Sequence, residues 1–137
     1  MIFVDSNVVI DLLEENSHWS AWSRDEVLKG IAAGKLMANV IVLAECAAHF
    51  SDLEEELRYF EDVGIALSEI PAAAAHRAGL AHKLYRRSGG TQRSILADFL
   101  IGAHASVLGA RLLTRDRQRF SSYFPELTLI TPETDNG

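Results

Sequence analysis

The sequence predicts an α/β fold, a three-layer α/β/α arrangement in which a short parallel sheet of four to five strands is covered on both faces. Short apolar runs alternate with longer segments of helical character, the order that builds a parallel sheet. The runs are apolar throughout rather than alternating, as strands buried on both faces are. The 137 residues are 48% hydrophobic and 23% charged, with no Pro/Gly-rich linker and no internal repeat. One domain over 1–131 follows, with a polar tail over 132–137.

Each element has a local reason. Ile2 to Val4 is the first buried strand. Asp5-Ser6-Asn7 supplies turn and N-cap residues, and Val8 to Leu13 continues as a helix. Ser23 to Ala33 is a second helix, stopped by Gly34. Leu36 to Ala38 is a strand, followed by a helix through Glu45 to Phe50. Ser51 with Glu54, or Asp52 with Glu55, makes a capping box for a helix to Asp62 that Gly64 ends. Ile65 to Ile70 is strand-like, and Pro71 opens a helix to Arg87. Ser88-Gly89-Gly90-Thr91 breaks the chain before a helix from Ser94 to Leu108, apolar on nearly all sides and therefore central. Arg111 to Leu113 is a strand, Arg117 to Tyr123 a short helix, and Leu127 to Ile130 a last strand.

Composition narrows the setting. Asp5 interrupts the N-terminal apolar run and no basic segment precedes it, so a signal peptide is not expected. No uncharged apolar run approaches the roughly 18 residues of a membrane span. Cys46 is the single cysteine, which suits a reducing cytoplasmic setting and reads as a small buried hydrophobe. Net charge is −6, unevenly spread: residues 1–69 hold four basic and 14 acidic side chains, residues 70–137 nine basic and five acidic. The second half is able to meet phosphates, although solvated helix faces account for it equally well.

Three acids stand alone in apolar segments: Asp5 in MIFVDSNVVI, Glu45 in LMANVIVLAECAAHF and Asp98 in SILADFLIGAHASVLGA. Such segments should be core, and a buried carboxylate survives only if paired, protonated or metal-bound. Three converging would cost on the order of 10 kcal/mol without a compensating cation. Asp116 follows the stretch Arg111 to Thr114. In parallel sheets, sites form at the carboxyl ends of strands, so these four acids are expected at one edge, where oxygen-only ligands suit Mg²⁺ or Mn²⁺. Each residue also has a plainer reading. Asp5 and Asn7 serve equally as N-caps, Glu45 as a buried acid paired with an Arg, and Asp116 as half of a surface ion pair. Asp98 gains from its helix dipole in either case.

The ordered set resembles the PIN-domain nucleases and, among them, VapC-type toxins of type II toxin–antitoxin pairs. IFVDSNVVIDLL, VLAECAAHF, ILADFLIGAHASVLGARLLTRDRQRF and YFPELTLITP carry the resemblance over nearly the whole chain. It implies a PIN-like fold, Mg²⁺- or Mn²⁺-dependent endoribonuclease activity by a metal-activated water, a homodimer, and a small antitoxin that blocks the acidic site. Asp5 and Asp98 are then the principal metal ligands, with Asp116 completing the site. Glu45 ligates a second ion or orients the attacking water. By the same resemblance Asn7 and Thr114, with Ser6 beside them, hold the carboxylates by hydrogen bonds. Arg93, Arg115 and Arg117 are weaker candidates for RNA phosphates, with ion pairing the alternative.

Two other functions fit the same residues less well. An aspartyl-nucleophile phosphohydrolase wants a second Asp two positions after Asp5, where Asn7 stands, and a late Lys, whereas the last is Lys83. A non-catalytic RNA-binding module would not need the full set of acids. His104 lies six residues after Asp98, about 240° around the helix, and is expected to pack in the core. His76 and His82, also six apart, do not make an i, i+4 metal pair.

Overall fold

The computed structural model describes residues 1–15 and 18–132. Five strands, β1 (Ile2–Val4), β2 (Leu36–Ala38), β3 (Ile65–Leu67), β4 (Arg111–Leu113) and β5 (Leu129–Ile130), form one parallel sheet in the order β3-β2-β1-β4-β5. Seven helices flank it in a three-layer α/β/α sandwich: α1 (Ser6–Leu13), α2 (Ser20–Ala33), α3 (Val40–Cys46), α4 (Leu53–Val63), α5 (Ala72–Arg87), α6 (Ile95–Leu108) and α7 (Arg117–Tyr123). The expected fold class is the observed one. Of the expected tail, 133–137 lies outside the described residues.

Boundaries moved where tertiary contacts overrode local pattern. The strand expected to Ile70 ends at Leu67, because Leu67 is the last residue registered with β2, opposite Ala38. The helix through Glu45 ends at Cys46 and tightens into a 3₁₀ turn, Ala47–His49. Helix α2 begins three residues early, at Ser20, whose hydroxyl bonds back to the Asp11 carbonyl at 2.8 Å. Of the two capping boxes, Asp52 caps α4 by accepting from Glu55 N at 2.8 Å, while Glu55 reaches back to Ser51 N at 3.1 Å.

Phe3, Val4, Leu112 and Leu113 fill the middle of the sheet, with Val8, Val42, Phe60, Phe99, Ile101 and Phe120 packed on its faces. At Gly102 on α6, an added Cβ would lie 3.0 Å from Phe120 and 3.1 Å from Phe124. That close approach sets α7 against α6. Cys46 is fully buried, and burial pushes its thiol up to about 12, so it packs as a hydrophobe. Among the described residues no helix is long and apolar enough to cross a membrane.

Candidate active site

Every strand hands over at its carboxyl end to a short polar residue. Across the sheet these are Ser68, Asn39, Asp5, Thr114 and Thr131. Asp5, Ser68 and Thr114 still donate their backbone N–H to the neighbouring strand, while the short polar side chains at this end of the sheet are where sites form in parallel sheets. Val4 is registered with Leu113, so the next residues, Asp5 and Thr114, stand side by side. Asp5 N donates to the Leu113 carbonyl at 3.0 Å, and Thr114 Oγ1 donates to Asp5 Oδ2 at 2.6 Å. Asp5 also caps α1, its Oδ1 accepting from Ser6 N at 2.8 Å.

Asp5 is 4% exposed and makes no ion pair among the described residues. Burial pushes its carboxyl up to about 7. The Thr114 and Ser6 hydrogen bonds oppose that rise, while repulsion from Asp98 and Glu45 adds to it. Asp98, in the first turn of α6, is pushed up to about 6 by burial. Arg119 pulls it back, and Glu45 and Asp116 raise it further. Asp98 is therefore within reach of the charges of the other three predicted acids, and Asp5 within reach of those of Asp98 and Glu45.

Their individual settings differ from the expectation of a uniformly buried cluster. Glu45 lies on the solvent side of α3, whose buried stripe is Val42 and Cys46, and its Oε1 accepts from Ser6 Oγ at 2.5 Å. Asp116 is half-buried and caps α7 by accepting from Arg119 N at 3.1 Å. Its own N–H donates to Thr114 Oγ1 at 3.1 Å. Ser6 and Thr114 thus do reach carboxylates, whereas Asn7 accepts from the Arg115 backbone N–H at 3.4 Å and ties down the β4–α7 turn.

Sequence reasoning missed two residues here. Arg119 joins the acids, with Nη1 2.8 Å from Asp98 Oδ2 and Nε 3.4 Å from Asp116 Oδ2. Its i, i+3 spacing from Asp116 was a visible signal; nothing local linked it to Asp98. Asp11 is 1% exposed, accepts from Ser23 Oγ at 2.7 Å and pairs with Arg115 Nε at 2.9 Å. Arg115 also lies over the Trp19 ring at 5.8 Å. This phosphate candidate is committed to the protein's own interior. Arg117 Nε donates to Thr131 Oγ1 at 3.2 Å, and Arg93 is exposed on the loop before α6.

His104 turns away from the acids, as its helical spacing predicted. Asn39 Oδ1 is taken by the Ile41 and Val42 N–H groups at 3.0 and 3.2 Å. Its amide nitrogen, 3.1 Å from His104 Nδ1, must therefore donate, which leaves the ring proton on Nε2 toward Ser68 Oγ at 3.4 Å. Burial also holds the His104 pKa below its usual range. The neutral ring fixes Asn39, the cap of the helix that carries Glu45.

The donor chemistry suits a hard divalent cation. The donors are all oxygens, one acid is buried without a cation, and an intramolecular guanidinium already sits against two others. The geometry is not preformed. Among the described residues no three His, Cys, Asp or Glu side chains stand close enough together to hold an ion. Here a protein cation, Arg119, relieves the repulsion between Asp98 and Asp116 that the sequence pattern alone assigns to metal.

The PIN domain family model matches residues 2–123. Among solved structures, VapBC2 from Rickettsia felis bound to a promoter DNA fragment aligns with TM-score 0.70 and 19% identity over 96% of this chain and 98% of that one. VapBC-1 from nontypeable Haemophilus influenzae gives 0.69 and 18% over 96% and 98%. A toxin–antitoxin complex from Klebsiella pneumoniae gives 0.66 and 19% over 96% and 98%. No curated protein matches.

Proposed function

The chain belongs to the PIN-domain family, and on that premise we propose that it is a Mg²⁺- or Mn²⁺-dependent endoribonuclease, the toxin of a toxin–antitoxin pair. One observation carries the reading. Asp5 is a buried carboxylate without a counter-cation among the described residues, set at the carboxyl ends of the strands within the field of Asp98 and Glu45. Capping α1 needs only a short acceptor side chain, which Ser or Asn supplies as well, so the cap alone does not account for a buried carboxyl beside two other acids.

Asp5 and Asp98 would hold the cation, with Asp116 completing the ligand set. Thr114 fixes Asp5 through Oδ2 and Ser6 holds Glu45, as hydrogen bonds behind a metal centre do. When bound, Mg²⁺ or Mn²⁺ would supply positive charge to the phosphate oxygens and acidify water. Glu45, exposed at the rim, would orient a water and accept its proton. Arg119, set against Asp98 and Asp116, would offer its guanidinium to the substrate phosphate.

The remaining partners follow from kinship and surface. The Klebsiella relative is a toxin–antitoxin complex. A groove lined by Val40, Leu43, Ala47, Phe50 and Leu53 is also lined by Glu56, whose Oε2 is buried and without a hydrogen-bond partner among the described residues. It suits an apolar antitoxin segment bearing one donor. Exposed Leu80 and Leu84 on α5 suit a homodimer contact. We assign the nuclease domain to residues 1–131, acting in the cytoplasm.

The test is cleavage of total cellular RNA by the purified chain. We expect cuts with Mg²⁺ or Mn²⁺, none with chelator, and none from Asp98→Asn. Cleavage at the wild-type rate by that variant, or in chelator, would remove the reading.

A further inference from the structure

Four carboxylates repel the phosphates they are meant to act on, so a nuclease with this centre needs cations nearby to seat its substrate. Between the end of α5 and the start of α6 lies a cavity of about 460 Å³, lined by His82, Tyr85, Arg86, Gly90, Gln92 and Arg93. A second, of about 400 Å³, is lined by Tyr85, Gln92, Ile95, Asp116, Arg119 and Tyr123. Tyr85 and Gln92 line both, so the two cavities adjoin, and we treat them as one trough with Asp116 at one end and Arg86 and Arg93 at the other. No acidic side chain lines its outer half. Arg86 and Arg93 make no ion pair among the described residues.

The trough is built rather than incidental. Gln92 N donates to Tyr85 Oη at 2.9 Å, which pins the loop to the helix. A Cβ at Gly90 would fall 2.3 Å from the Tyr85 ring, so only glycine lets the chain cross there. The ring is held against Phe99 at 6.0 Å and Tyr123 at 5.8 Å, both edge to face. A fixed aromatic ring lining the same cavity as unpaired guanidinium groups is a combination that proteins use to hold single-stranded nucleic acid.

We propose that this trough seats the RNA strand on one side of the scissile phosphate, with Arg86 and Arg93 on successive phosphates and Tyr85 in the wall beside the nucleosides. The proposal rests on the ribonuclease reading for the substrate. The aromatic wall favours a strand whose bases are unpaired over a duplex, which presents only its backbone.

Fluorescence anisotropy with a labelled single-stranded RNA, in chelator so that nothing is cut, tests it. Losing two phosphate contacts should weaken binding roughly tenfold at moderate salt and make the slope of log affinity against log salt shallower by about 1.4. We expect both in R86Q/R93Q. Lys35→Gln, at the amino end of β2 on the opposite edge of the sheet, should bind as wild type does. Thermal unfolding of the double variant at the wild-type temperature guards against a folding defect. Wild-type affinity and slope in R86Q/R93Q, or equal weakening in Lys35→Gln, overturns the trough and leaves the nuclease reading standing. A wild-type chain that binds RNA through these arginines yet cuts none with either metal keeps the trough and removes that reading. Preference for an equally long duplex also overturns the proposal.

Discussion

Helix α1 has a buried aspartate just before it and another inside it, and the two are handled in opposite ways. Asp11 is 1% exposed, faces Arg115 at 2.9 Å and accepts a bond from Ser23. It is neutralised within the fold, as a structural buried charge must be. Asp5 is 4% exposed and has a hydroxyl and one backbone N–H, but no cation among the described residues. Its neighbours Asp98 and Glu45 make its ionised form costlier still. One carboxylate is neutralised by the fold; the other has no cation among the described residues, which is what the proposed metal site would require. Burial alone would not have told them apart, whereas the identity of the partner does.

The contrast is broken most sharply by the same substitution at each site. Asp5→Asn should lower metal-dependent RNA cleavage by about 1,000-fold or more. At pH 8 without metal it should fold at least as stably as wild type, because a destabilised charge has gone. Asp11→Asn leaves Arg115 without its anion and should cost about 3 kcal/mol in denaturant unfolding, with cleavage per folded molecule kept. Equal stability losses at both positions would mean that Asp5 is as structural as Asp11.

The fold was legible because strands buried on both faces leave continuous apolar runs, as in Ile2–Val4 and Leu36–Ala38. Lone acids at Asp5 and Asp98 pointed to the candidate site for the same reason: nothing near them in sequence accounts for the charge. Glu45 shows the limit. Its apolar segment suggested burial, yet only the Val42 and Cys46 stripe of α3 turns inward. Asp11 escaped notice because its partner, Arg115, is far away along the chain, and Arg119 because Asp98 is 21 positions away. Pairings of that kind are set by how helices pack, here by the tight seating of Phe120 and Phe124 on Gly102, and no local pattern encodes them.

A pH series sharpens the difference with a smaller effect. Burial raises the Asp5 carboxyl from its ordinary 3.8 to about 7, and Asp98 to about 6. A raised acid binds its proton more tightly folded than unfolded. Its stabilising contribution is therefore full below about pH 4 and is lost as pH climbs to about 7. In chelator, wild type should lose on the order of 2 kcal/mol relative to Asp5→Asn over that window. Adding Mn²⁺ at pH 8 should return stability to wild type and not to the variant. A wild-type-minus-variant difference that is flat with pH would mean that Asp5 keeps its charge in the folded state with no cation bound.

The smallest effect concerns Arg119, the cation that the fold itself supplies to Asp98 and Asp116. If the guanidinium stands where a divalent ion must enter, Arg119→Gln trades one stabilisation for another. Metal-free stability should fall by about 1 kcal/mol, the scale of a partly exposed charged hydrogen bond. Affinity for Mn²⁺, read by calorimetry, should rise several-fold, since the ion no longer displaces a bound cation. The opposite result, weaker Mn²⁺ binding, would make Arg119 a brace that keeps the carboxylates aligned. Asp98 would then belong with Asp11, among the acids whose partner is structural, and Asp5 alone would remain the group held for an incoming ion.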